Sequence, residues 1–120
     1  MLVRIDSDSP VGLADQIAAQ VRAAVAAGGL APGVKLPPAR ELAQGLDVNM
    51  HTVLRAYAQL RDEGLVELRR GRGAHVRTDV PGSVRGRADL TAQIHTLLET
   101  AARLGVGTDD LIDQIRRVQP

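Results

Sequence analysis

The sequence of 120 residues contains no cysteine, no tryptophan and no phenylalanine, and Tyr57 is its single tyrosine. Without cysteine, disulfides, thiolate zinc sites and thiol catalysis are excluded, and the composition is compatible with a reducing cytoplasm. With so few aromatic residues, the core must be built from aliphatic side chains on amphipathic helices. A small helical core of this kind is only marginally stable, so burial between two copies of the chain is expected to help.

Long hydrophobic runs are also lacking. Charged or polar residues interrupt every apolar run well before the length of a membrane span, and Met1–Pro10 has no signal-peptide pattern. We therefore expect a soluble intracellular protein without a membrane partner. The net charge is only +1, yet Arg69–Thr78 reads RRGRGAHVRT, with four arginines and no acidic residue. A ligand responds to this local field more than to the total charge.

Three helices are predicted in the first half of the chain. Ser9-Pro10 is a hydroxyl cap followed by a proline, which marks the start of the first helix. The segment PPARELAQGL predicts a short second helix, and Gly45 is able to take the left-handed conformation that ends it. After a sharp turn at Asp47-Val48, Asn49 is a good cap for a third helix that runs to about Glu63.

A hairpin and two further helices follow. The strands are predicted at Leu65–Leu68 and Ala74–Arg77, joined by RRGRG, whose glycines suit a tight turn. The segment Asp79–Gly86 is rich in Pro, Gly, Ser and Arg, which is typical of a linker. An apolar stripe from Leu90 to Leu104 indicates a fourth helix, and Thr108 is expected to cap a last one. The predicted fold class is mainly α with a small β-hairpin.

A helix-turn-helix followed by a basic hairpin is the arrangement of a winged helix-turn-helix, in which the helix after the turn enters the DNA major groove. Arg can bond guanine bidentately, Asn can do so with adenine, and Thr and His serve bases or phosphates less selectively. The third helix offers these side chains at Asn49, His51, Thr52 and Arg55. The loop RRGRG would form the wing tip, where arginines neutralise phosphates or enter the minor groove.

The chain from about residue 10 to residue 77 resembles the DNA-binding domain of the GntR family of bacterial transcription regulators. The matching motifs occur in fixed order as QI, GGLAPGVKLP, RELA, VN..TV.RAY, EGLVE and the GRG wing. The DNA contacts implied by this resemblance are Arg40 of RELA, the recognition-helix residues Asn49, His51, Thr52 and Arg55, and the wing residues Arg70, Gly71 and Arg72. Met50 departs from the Arg or Pro more usual at its position.

The C-terminal region is similar in length and helix count to that of the YtrA-type branch of the family, whose small tail serves dimerisation. We therefore predict a DNA-binding domain at residues 1–78, and a linker with a two-helix dimerisation region at residues 79–120. The expected dimer contacts are Leu90, Ile94, Leu97, Leu98, Ala101 and Leu104 on the fourth helix and Leu111 and Ile115 on the last. The same stripe could instead be core that covers the first helix.

The sequence thus predicts a homodimeric, cytoplasmic repressor whose partners are double-stranded DNA with an inverted-repeat operator and a second copy of itself. No cofactor or metal is expected, because the histidines at positions 51, 75 and 95 lack ligand spacing. An enzyme is disfavoured, since no nucleophile is paired with a base and no phosphate-cradling loop precedes a helix. Whether a small-molecule effector binds is left open.

Other interpretations remain for single features. The whole domain could be a winged-helix interaction module that no longer binds DNA, and RRGRG could be a solvated turn. Arg40 could form a surface ion pair with Asp47 or Glu41, which stabilises little. Asn49 is needed as a helix cap in any case, and Thr52 could be an exposed filler.

Overall fold

The computed structural model describes residues 3–80 and 82–120, and within them the chain forms five helices and one two-stranded antiparallel sheet. The mainly helical fold class with a β-hairpin is confirmed. The elements are α1 (Leu13–Ala26), α2 (Ala39–Leu46), α3 (Met50–Asp62), β1 (Val66–Arg69), β2 (Gly73–Val76), α4 (Gly82–Arg103) and α5 (Thr108–Val118).

The first helix begins later than predicted. Its N-cap is Gly12, which makes no side-chain capping bond, and Ser9-Pro10 lies in the turn before it. The Ser9 hydroxyl accepts a hydrogen bond from the Val11 N–H at 3.2 Å, which satisfies a turn rather than a helix end. Gln16 of α1 also holds this segment, since its amide group donates to the Val11 carbonyl at 2.7 Å. The predicted start at Ser9-Pro10 is therefore wrong.

The turn between α2 and α3 sets the angle of the recognition helix. Asp47 adopts the left-handed conformation with φ 55°, and the Val48 N–H donates to the Ala43 carbonyl at 3.0 Å. Gly45, the predicted helix end, lies inside α2 instead; a short polar Asp side chain tolerates the left-handed region. The predicted cap of α3 is confirmed, because Asn49 Oδ1 accepts from the His51 N–H at 2.8 Å.

The hairpin has the predicted position, shifted by one residue in each strand. Its register pairs Val66 with Val76 and Arg69 with Gly73. A third extended segment at residues 34–36, which sequence reasoning missed, runs along β2: the Leu36 N–H donates to the Ala74 carbonyl at 2.8 Å. The wing is therefore braced from one side by the chain that leads into α2.

The core is aliphatic, as the composition requires. Side chains from α1, α3 and the hairpin fill it, and Tyr57 adds its ring while donating a hydrogen bond from its hydroxyl to the Pro37 carbonyl at 2.7 Å. Burial raises the pKa of this phenol to about 12. One charged side chain also lies inside: Arg22 of α1 pairs with Glu63, the C-cap of α3, at 2.8 Å.

The fourth helix differs most from its prediction. It begins at Gly82, so most of the predicted linker Asp79–Gly86 is helical, and Pro81 lies outside the described residues. Val84 packs against the core and Ala88 is buried within it, which outweighs the low helix propensity of the glycines. As a result, α4 lies against α1.

The last helix has the charge pattern expected for its dipole, with Asp109 and Asp110 in its first turn and Arg116 and Arg117 in its last turn. Its cap was predicted wrongly, because Gly107 occupies the N-cap position and Thr108 is the first helical residue. No helix in the described part of the chain is both long and apolar enough to cross a membrane.

Candidate nucleic-acid interface

The outer face of α3 presents polar side chains at its beginning. His51 and Arg55 are exposed and lie one turn apart, so both project from the same side of the helix. Asn49 is exposed as well, and one lone pair of its Oδ1 is engaged in the cap. The two amide hydrogens of Asn49 remain to donate to a base or phosphate. The start of α3 therefore presents hydrogen-bond donors and acceptors on its exposed surface.

Thr52 does not belong to this surface. Only 8 % of the residue is exposed, and it shares the inner face of α3 with Val53 and Ala56, both fully buried. The spacing already contained this signal, because Thr52 lies one turn before Ala56, which periodicity places in the core. The expected DNA contact of Thr52 gains no support from its position.

The wing tip carries exposed cations. Arg70, Gly71 and Arg72 are all exposed, and Gly71 has φ 75°, a conformation that a side chain would strain. Neither arginine takes part in the ion pairs found among residues 3–80 and 82–120. The unneutralised positive charge of the hairpin is therefore concentrated at its tip.

The other arginines of the hairpin are paired. Arg69 contacts Glu67 at 3.3 Å, and Arg77 contacts Asp79 at 2.9 Å. The hydrogen bond and the positive charge of Arg77 lower the pKa of the Asp79 carboxyl. Both pairs lie below the tip, where they partly cancel the basic charge that the sequence suggested for the whole segment.

Helix α3 and the wing border one open groove with a volume of about 460 Å³. Its lining comes from Leu54 and Tyr57 of α3, from the hairpin and from residues 37–39. The hydrogen bond from Tyr57 to Pro37 ties residues 37–39 to α3. The recognition helix and the wing are thus neighbours on one side of the molecule.

Arg40 lies at the start of α2, directly after residues 37–39, which line this groove. Its side chain is exposed and takes part in none of the ion pairs of the described residues. The surface pair with Asp47 or Glu41 is therefore not formed. Arg40 therefore remains available to a ligand.

The predicted dimer stripe faces mostly outward. Helix α4 meets α1 through a different face, on which Ala88 is buried, so the stripe is not core covering α1. The exposed members are Leu90 (57 %), Ile94 (47 %), Leu97 (41 %) and Leu104 (75 %) on α4 and Ile115 (47 %) on α5. Leu98 is half-buried, while Ala101 and Leu111 are buried.

Sequence reasoning missed two members of this surface. Ile112 and Val118 of α5 are exposed at 39 % and 84 %, and they lie three residues to either side of Ile115. That spacing is a helical signal that a longer scan of the tail would have found. In the described part of the chain, no three His, Asp or Glu side chains cluster in a way that could hold a metal ion.

Comparison with known proteins gives a consistent result. The family model of bacterial regulatory proteins, gntR family, matches residues 13–76. The chain is 32 % identical to the HTH-type transcriptional repressor YtrA of Bacillus subtilis (strain 168), across 98 % of this chain and 92 % of that protein. A solved structure of YtrA from Sulfolobus acidocaldarius, a GntR-family transcription factor, is 34 % identical and superposes with a TM-score of 0.62, covering 97 % of this chain and 95 % of that one.

A second similar structure contains DNA. AraR(DBD) in complex with an operator is 25 % identical to this chain with a TM-score of 0.54, and the match covers 63 % of this chain and 93 % of that one. The chain therefore belongs to the GntR family of DNA-binding bacterial transcription regulators, in its YtrA-like branch.

Proposed function

We propose that this protein is a homodimeric repressor that acts in the bacterial cytoplasm and binds an inverted-repeat operator. Residues 1–78 would bind DNA and residues 79–120 would hold two copies together. The observation that carries the proposal is the groove bordered by α3 and the wing, because Arg55 of α3 and Arg70 and Arg72 of the wing are exposed and take part in none of the ion pairs of the described residues. The similarity to a YtrA protein described as a repressor supports the direction of regulation.

The exposed polar side chains of α2, α3 and the wing have different roles in this proposal. Arg55 and His51 of α3 enter the major groove, where Arg recognises guanine bidentately. Arg70 and Arg72 of the wing neutralise phosphates or enter the adjacent minor groove. Arg40 contacts the DNA backbone beside them. Asn49 caps α3 and offers its amide hydrogens to the DNA, whereas we leave Thr52 out of the interface because it is buried.

The dimer follows from the apolar surface of α4 and α5. Helices α4 and α5 contact each other, and both expose leucine or isoleucine side chains. Because a contiguous apolar surface often marks an interaction site, we propose that these side chains form the dimer contact. Because one face of α4 is packed on α1, the two copies would join through the opposite face in a two-fold arrangement. Such a dimer presents two α3 helices, which fits an operator with two-fold symmetry.

Fluorescence titration of labelled duplex DNA tests the roles of the arginines. A duplex selected from a random library should bind wild-type protein with an affinity that falls steeply with salt, because arginines displace condensed cations. Arg55→Ala and Arg72→Ala should each weaken binding by about tenfold, and Arg72→Ala should lower the salt slope by about one. Arg61→Ala is the matched control, since Arg61 is exposed near the other end of α3 and paired with Asp62 at 3.1 Å.

The outcome separates the proposal from an interaction module that has lost DNA binding. Wild-type affinity in both variants, or binding that ignores salt, would overturn the assignment. Equal weakening by Arg61→Ala would also count against it, because a general loss of positive charge would then explain the result.

A further inference from the structure

Two leucines are exposed on the surface proposed to face DNA. Leu54 of α3 is 42 % exposed and Leu68 of β1 is 40 % exposed, although arginines surround them. Both line the groove between α3 and the wing. Tyr57, Pro37 and Pro38 also line this groove and add apolar surface to it. The groove is lined by apolar residues and by arginines, so a ligand that fits it should have both apolar and anionic parts.

The geometry of a duplex suggests that occupant. A recognition helix in the major groove and a wing in the neighbouring minor groove stand on opposite sides of one sugar-phosphate strand. That strand separates the two grooves, so it must cross the space between the helix and the wing. In this protein the space is the groove lined by Leu54 and Leu68.

The chemistry of the groove matches a sugar-phosphate strand. A deoxyribose presents apolar carbon atoms, and anionic phosphates flank it on both sides. The apolar lining residues fit the sugar, and Arg69 and Arg70, which also line the groove, supply positive charge for the phosphates. Arg69 already contacts Glu67 at 3.3 Å, whereas Arg70 takes part in none of the ion pairs in the described residues. Arg70 is therefore the better partner for a phosphate.

We infer that this groove binds one deoxyribose of the strand between the major and minor grooves. Leu54 and Leu68 contact the carbon atoms of the sugar, and Arg70 contacts an adjoining phosphate. The inference rests on the proposed DNA-binding mode and adds a contact to it that is blind to base identity. The groove thus supplies affinity and positions the helix, while His51 and Arg55 supply sequence preference.

The leucines can be tested separately from the arginines. Leu54→Ala and Leu68→Ala should each weaken binding about fivefold, since each removes apolar area that the sugar would cover. The weakening should be equal for the selected duplex and for an unrelated duplex of the same length. The salt slope should stay unchanged, whereas Arg70→Ala should lower it by about one. Val34→Ala is the matched control, because Val34 is 39 % exposed in the same domain but does not line the groove.

Hydroxyl-radical footprinting locates the contact, because the radical attacks accessible deoxyriboses. Wild-type protein should protect one or two sugars on the strand between the recognition-helix site and the wing site. The double variant Leu54→Ala, Leu68→Ala should lose that protection while the rest of the footprint remains. Thermal unfolding checks that the variants fold, and exposed leucines should be replaceable without loss of the fold.

Two outcomes would overturn the inference. Unchanged affinity in both leucine variants would mean that no strand lies in the groove. A changed base preference at one position in repeated selection would mean that Leu54 reads a thymine methyl group rather than a sugar. The proposed function fails on different evidence, namely wild-type binding by Arg55→Ala and Arg72→Ala. If those variants bind weakly and the leucine variants bind normally, only the groove is misassigned.

Discussion

Removing the Glu63 carboxylate should destabilise the whole domain far more than removing the neighbouring carboxylate of Asp62. The Arg22 side chain is 1 % exposed, and its Nε and Nη2 donate to the two oxygens of Glu63 at 2.8 Å each. Its Nη1 is buried without a hydrogen-bond partner among the described residues. The variant Glu63→Ala would therefore leave a guanidinium charge buried with no acceptor.

The expected loss in the free energy of unfolding is about 3 kcal/mol, at the lower end of the range for a broken buried pair. The lower end applies because 28 % of the Glu63 side chain is exposed, so water can partly replace the carboxylate. For a chain of this size, the melting temperature should fall by about 10–15 °C. Arg22→Met removes the buried charge itself and should cost only about 1 kcal/mol.

Urea unfolding followed by circular dichroism measures these differences. All variants must be compared at one protein concentration, since dimerisation would stabilise the folded state by mass action. Asp62→Ala is the control: its pair with Arg61 is exposed, so the free energy of unfolding should change by about 0.5 kcal/mol or less. Equal losses from Glu63→Ala and Arg22→Met would refute the reasoning, because the penalty would then not come from an orphaned charge.

Two other features give independent tests. Burial raises the pKa of Tyr57 from 10 to about 12, so the unfolded chain loses this proton at lower pH than the folded chain. The contribution of Tyr57 to stability should therefore be fully present below pH 10 and should be lost as the pH rises from 10 towards 12. Tyr57→Phe should lack that contribution to the alkaline slope, and phenolate absorbance reports the titration directly because this is the only tyrosine. A charge on the exposed apolar face of α4, as in Ile94→Glu, should shift the protein to a monomer in sedimentation velocity and weaken binding to a two-half-site operator. Thr96→Glu should leave the dimer intact, because Thr96 is exposed two residues along α4 and therefore lies on another face of the helix. A monomeric wild type would contradict the proposed interface.

Features with a local cause were predictable from the sequence. Asn49 caps α3 because a carboxamide oxygen reaches an N–H two residues on, and this depends on nothing distant. The hairpin was found for the same reason, since glycines at Gly71 and Gly73 supply the positive φ angles of its turn. Exposed arginines at the wing tip followed directly from its sequence.

Features with a distant cause were not predictable. Arg22 is buried because it pairs with Glu63, which lies 41 residues away in sequence. The local sequence does not reveal this partner, and an arginine in a helix ordinarily indicates a solvated face. The chain at residues 34–36 has no strand signal of its own and is extended because β2 lies beside it. The groove at Leu54 likewise exists only because α3 and the wing are neighbours.

The early start of α4 changes how the two halves of the molecule are connected. A linker over Asp79–Gly86 would let the DNA-binding domain swing freely relative to the dimer interface. Instead, Val84 packs against the core and Ala88 lies within it, so the helix that carries the exposed stripe is fixed to α1. Arg22 and Glu63 in turn fix α1 to the end of α3. A chain of packed helices therefore connects the proposed dimer surface to the recognition helix, and the distance between two recognition helices would be set by packing rather than by a flexible tether.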